Sequence, residues 1–256
     1  MRPDPIQRMR PDPTNARIEI AQRLKKKILQ RYKNHVLGIA IYGSVAKGED
    51  RRYSDLEMYV ITKRKLGVRE HRYVYRGTPV EISYIPEKEM LQRARQINPD
   101  WALVTDFYRS YLILYERDAW FTKLQRAVLS QNPEDFKAAI RKSLVWLNEL
   151  MGKIKNAYFH NDYFLFLWLT SFLGWESIMF LGLINQRYYK SERYLFETVF
   201  TFPLLPKNYR SLLEIVFHIS TTERKKIYRA CQRLFNEIER LVRKQGITLE
   251  QNRLKV

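Results

Sequence analysis

Three carboxylates and one glycine-serine turn carry the chemistry legible in this chain. Asp55 and Glu57 flank Leu56 at the entry to an apolar run, Leu56–Thr62 (LEMYVIT), and Glu81 lies between Val80 and Ile82. Residues two apart on a strand share a face, so Asp55 and Glu57 point the same way. Crowded carboxylates repel unless a cation neutralises them, and Mg²⁺ does so with hard oxygen ligands. Glu81, on the same face of a neighbouring strand, would complete a two-metal site. Such sites hold ions about 3.5–4 Å apart, activating an attacking oxygen and stabilising a leaving pyrophosphate. Eleven residues before Asp55 stands Ser44, preceded by Gly43. Gly43 permits a tight turn and close approach of a phosphate. Ser44 offers a hydroxyl and a backbone N–H at the start of a short helix, where anions are favoured. Lys47 adds a cation. A lone Asp-x-Glu is usually a pair of solvated strand acids; the information lies in the joined pattern.

The elements that must position these residues follow from periodicity. Asn15–Tyr32 reads as an amphipathic helix, with Ile18, Ala21, Leu24, Ile28 and Leu29 at helical spacing. Val36–Tyr42 (VLGIAIY) reads as a buried strand that Gly43-Ser44 ends, and Leu56–Thr62 as a second. Tyr73–Tyr75 and Val80–Ile85 bracket Gly77 and Pro79 as a hairpin, and Pro86–Gln96 reads as a helix. Beyond about residue 120 helical periodicity takes over, with helices expected over roughly 133–156, 161–186, 191–200, 207–219 and 222–245. The expected class is α+β: a small mixed sheet with helices over 15–120, then a helical bundle over 121–256. Residues 1–14 read as a disordered leader, because Met1–Pro5 recurs as Met9–Pro13 with two prolines per copy.

Bulk properties bound the rest. The 256 residues are 45% hydrophobic, enough for a core, and the formal net charge of +19 favours anionic partners such as nucleotides or nucleic acid. A single cysteine, Cys231, excludes an internal disulfide and fits a reducing, cytoplasmic setting. Tyr163–Leu183 is long enough to span a bilayer, but Glu176 within it and the lack of a second such run favour a bundle-centre helix and no membrane. No Cys/His zinc spacing and no Walker motif is present.

Gly43-Ser44…Asp55-x-Glu57 resembles the motif of the DNA polymerase β-like nucleotidyltransferases, and among them the aminoglycoside (kanamycin) nucleotidyltransferases. Ile41-Tyr42-Gly43-Ser44, Tyr53-Ser54-Asp55-Leu56-Glu57-Met58, Val80-Glu81-Ile82 and Asp100-Trp101 are the matching segments. The resemblance implies Mg²⁺ held by Asp55, Glu57 and Glu81, and an NTP, ATP foremost, contacted by Gly43, Ser44, Lys47, Ser54 and Lys153. It makes Glu149, in Glu149-Leu150-Met151-Gly152-Lys153, the general base for the acceptor hydroxyl. Glu149 and Lys153 do share a helix face as an i, i+4 pair. The resemblance also implies a homodimer whose active site is built across the interface, an aminoglycoside such as kanamycin as acceptor, and a role in antibiotic resistance.

Some positions depart from the family pattern. Acids that bind the polycationic antibiotic fall near Val145, Trp146 and Arg72 here, and a charge of +19 repels a polyamine. Two alternatives therefore stand beside the aminoglycoside: AMP transfer to a protein or RNA-related acceptor, in the manner of antitoxin transferases, and a non-catalytic nucleic-acid-binding module. Lys155–His160 (KNAYFH) also resembles the Arg-(polar)-x-x-x-His motif of HEPN-type ribonucleases, with lysine in place of the phosphate-gripping arginine.

Overall fold

The computed structural model describes residues 16–249. The leader expected over residues 1–14 lies outside them. Contacts divide the chain into two units: 16–96 with 104–131, and 97–103 with 132–249. The division falls at 131/132 rather than at 120/121, because the helix after residue 119 packs with the sheet.

The first unit begins with α1 (Ala16–Tyr32), followed by β1 (Val36–Tyr42), a four-residue helix α2 (Gly43–Ala46) and β2 (Leu56–Thr62). Then come β3 (Glu70–Tyr75), β4 (Thr78–Pro86), α3 (Glu87–Arg95), α4 (Trp101–Arg109), β5 (Leu112–Glu116) and α5 (Trp120–Leu129). The first three residues of α4 count with the second unit. The sheet order is β3-β4-β2-β1-β5. β1 and β2 are antiparallel, while β2 and β4 run parallel because β3 returns between them. The β3–β4 turn is two residues, Arg76 and Gly77, both at positive φ (48° and 76°). That geometry matches the twist of a two-residue hairpin.

Alternation along the strands sorts side chains onto two faces. Ile39, Ile41, Met58, Val60, Val80 and Ile82 cluster with Ile18, Ala21 and Ile28 of α1. Ala40, Tyr59, Ile61 and Ile85 cluster on the other face with Met90 and Ala94 of α3 and Trp120, Phe121 and Leu124 of α5. Phe121 is fully buried there, a burial worth about 1.5–3 kcal/mol. The Glu116 carboxylate accepts the Phe121 backbone N–H at 2.8 Å, so β5 caps the helix that covers its own sheet. By parity, Tyr42, Glu57 and Glu81 belong to this second face.

The second unit is helical. It contains α6 (Pro133–Phe159), α7 (Tyr163–Ile184), α8 (Leu195–Val199), α9 (Tyr209–Val216) and α10 (Arg224–Arg243). Asn132 caps α6 by accepting the Glu134 N–H, with Pro133 at the first helical position, and Asp162 caps α7 by accepting the Leu165 N–H. Leu144, Leu147, Leu150 and Ile154 of α6 share one core with residues of α7 and α10. The 22-residue α7 is apolar enough to cross a membrane by length and composition. The bundle accounts for that apolarity: Phe166, Leu169, Leu173, Ile178, Phe180 and Leu181 are buried in it. Gly174 gives this packing room, since a Cβ there would come 2.8 Å from the Phe217 ring.

Candidate active site

In the first unit, β2 and β4 pair Glu57 with Glu81 directly, and β1 and β2 pair Tyr42 with Glu57. Partners in register project to the same face. Glu81 therefore lies on the same side of the sheet as Glu57, and Asp55 stands just ahead of β2, near enough for its charge to reach Tyr42. The convergence registers on Tyr42. Burial pushes its phenol well above the usual tyrosine range, and the charges of Glu57, Glu81 and Asp55 push it further. The hydroxyl stays protonated and donates to Glu81 Oε1 at 3.1 Å.

Gly43 stands at φ +69°, and a Cβ there would fall 1.9 Å from Glu57 Oε2. Glycine thus suits this position in two ways: it takes the left-handed backbone without strain, and it leaves the space that the Glu57 carboxylate fills. The turn feeds α2, whose Ser44 carbonyl accepts the Glu49 N–H at 2.9 Å and the Lys47 N–H at 3.2 Å.

Two expected nucleotide contacts have structural partners instead. Lys47 forms a buried ion pair with Asp106 of α4, whose second oxygen accepts from Ser110 at 2.6 Å. Burial raises the Asp106 pKa, and the Lys47 ammonium pulls it back down. Lys47 therefore fixes the end of the glycine-serine turn to α4. Ser54 Oγ accepts the Arg51 N–H at 2.8 Å, closing the loop ahead of Asp55. Arg17 of α1 clamps that loop, donating to the Ser54, Arg51 and Arg52 carbonyls and to Asp50.

At the outer end of the acid row, Arg72 pairs with Glu81 in the β3–β4 register, and its guanidinium reaches Glu81 Oε2 at 3.1 Å. Its Nε donates to Glu70 at 2.7 Å. Among the described residues, no three His, Cys, Asp or Glu side chains stand close enough to chelate one ion. The donor set itself suits a hard divalent cation, being all oxygen on one face. Glu81 is at present held by two partners, the Tyr42 hydroxyl on Oε1 and Arg72 on Oε2.

Glu149 and Lys153 lie on α6 in the second unit, both well exposed and paired to each other at 2.9 Å. The Lys153 ammonium also sits 4.7 Å from the centre of the Trp146 ring. Tyr42, Asp106 and Arg17 were missed as contributors to the site. Strand parity with Ala40 could have placed Tyr42 among the acids; nothing local marks Asp106 or Arg17.

A family model described as the KNTase C-terminal domain matches residues 118–248. The chain belongs to the KNTase family. Two relatives named aminoglycoside nucleotidyltransferase (4'), from Staphylococcus aureus and from a Bacillus species, are each 24% identical over 235 residues, covering 91% of this chain and 93% of theirs. The crystal structure of a nucleotidyltransferase-like protein from Exiguobacterium sibiricum matches 88% of this chain and 75% of its own, with a TM-score of 0.55 at 13% identity. That likeness is one of fold, and the fold is the α+β nucleotidyltransferase type. The KNTase match spans the stretch with Glu149 and Lys153, whereas the three acids precede it.

Proposed function

We propose that this KNTase-family protein transfers a nucleoside monophosphate from an NTP, ATP foremost, to a hydroxyl of an aminoglycoside. The in-register pairing of Glu57 with Glu81, beside a left-handed turn at Gly43, carries this reading. The names of the two relatives that span most of the chain supply the acceptor class.

Asp55 and Glu57 would hold Mg²⁺, with Glu81 joining them. When bound, the metal neutralises the triphosphate and favours departure of pyrophosphate. Gly43 and Ser44 take the phosphates against the turn, and Tyr42, kept neutral, orients Glu81. Glu149 accepts the proton of the acceptor hydroxyl as its oxygen attacks the α-phosphorus. Lys153 steadies charge on the transferred group. The two ion-pair partners separate to do so, which costs little at an exposed site. A homodimer and Mg²⁺ dependence are part of the same proposal.

Arg72 and the net charge of +19 favour a second acceptor class with fewer amines, on the same transfer chemistry. Incubation with Mg²⁺, ATP and a panel of aminoglycosides, following pyrophosphate and product mass, separates the two. The primary reading expects an antibiotic heavier by one nucleoside monophosphate. ATP binding without modification of any aminoglycoside would shift the acceptor to the second class, and absence of nucleotide binding would overturn both.

A further inference from the structure

We infer that Arg72 is an internal counter-ion that occupies the third acid and keeps the metal site incomplete until a divalent cation displaces it. This rests on the reading of Asp55, Glu57 and Glu81 as metal ligands. The β3–β4 register places Arg72 opposite Glu81 on the acid face, and the hairpin turn at Arg76-Gly77 fixes that register. One guanidinium nitrogen holds Glu81 Oε2 at 3.1 Å, while Tyr42 holds Oε1 at 3.1 Å. Both oxygens of the third acid are thus occupied. Glu81 cannot turn toward Asp55 and Glu57 without giving up a partner.

The two restraints differ in kind. Tyr42 is largely buried, neutral and short, so it orients Glu81 without competing as a charge. The Arg72 side chain is 68% exposed and long, and it retains Glu70 as a partner when it leaves Glu81. Arg72 therefore has somewhere to go, and its own charge stays solvated when it leaves. The acid row is in this way guarded against loosely held divalent ions, and closes when a metal arrives with sufficient affinity, as it does with a bound triphosphate.

The test is a Mn²⁺ titration of the full chain without nucleotide, read from the free-ion paramagnetic resonance signal. Arg72→Ala is expected to bind Mn²⁺ about five- to tenfold more tightly than the wild type, allowing for salt screening at an exposed site. In a Glu81→Gln background the same substitution should change affinity by less than about twofold, because the restraint acts through that carboxylate. Unchanged affinity in Arg72→Ala would overturn the inference. So would an equal tightening in the Glu81→Gln background, since that would be a general charge effect. Asp55→Asn separates this from the underlying reading: if it binds Mn²⁺ as the wild type does, the metal assignment fails, whatever Arg72 does.

Discussion

Each unit holds a lysine that the sequence places at the nucleotide, each paired with a carboxylate, and the two pairs are physically unlike. Lys47 and Asp106 are 59 positions apart, and their side chains are only 7% and 13% exposed. Lys153 and Glu149 are four apart on one helix face, with side chains 47% and 56% exposed. Two charges taken out of water depend on each other, whereas an exposed i, i+4 pair contributes a few tenths of a kcal/mol. The first pair is therefore architecture: it ties the glycine-serine turn to α4. The second adds little to folding, and both its members stay exposed to solvent. Burial, more than residue type, separates a lysine tied into the fold from one whose ammonium stays in solvent.

The largest expected effect breaks the buried pair. Lys47→Met strands the Asp106 carboxylate and should cost about 3–5 kcal/mol, lowering the melting temperature by roughly 10 °C. Adding Asp106→Asn should recover much of it. A loss confined to ATP affinity, with the melt unchanged, would instead return Lys47 to the phosphates.

Glu149→Gln should do the opposite. Its stability should stay within about 0.5 kcal/mol of wild type, while kcat for transfer falls about a hundredfold or more. A large drop in melting temperature would mean the two pairs are alike after all.

The smallest effect sharpens the role of burial in the second unit. Glu176, the lone acid of α7, has its pKa raised by burial first and then by the charge of Asp100, while a hydrogen bond from Trp146 opposes both. A raised folded-state pKa contributes stability that is present at acid pH and lost as pH rises through that value. Glu176→Gln should therefore raise the melting temperature by about 1–2 °C at pH 7, with the gain vanishing toward pH 4. A gain that persisted unchanged at pH 4 would point to packing instead.

The sheet site was largely legible because its signals are local. The apolar runs of β1 and β2 have the bounds their hydrophobicity predicts, and Gly43 interrupts them where the chain must turn. Strand alternation is enough to place Glu57 and Glu81 on one face once their strands pair. What remained hidden depends on long-range pairing. β5 is five residues of mixed burial at the sheet edge, with no alternation to announce it. The partner of Lys47 lies on a helix that no local pattern connects to the turn. Arg72 meets Glu81 only because a two-residue turn sets the hairpin register, and a shift of one residue would have put it on the α1 face. In the bundle, periodicity found the helices but said nothing about which charges would be buried.

The central claim is that the acids on one sheet face receive a divalent cation with the triphosphate laid against Gly43-Ser44. The most direct test is a crystal structure with Mg²⁺ and an ATP analogue carrying a methylene bridge between its α- and β-phosphates. The account predicts an ion between Asp55 and Glu57, Glu81 swung away from Arg72 to join it, and phosphate oxygens over the Ser44 turn. A nucleotide bound elsewhere, with Asp55 and Glu57 free of metal and Arg72 still on Glu81, would contradict it.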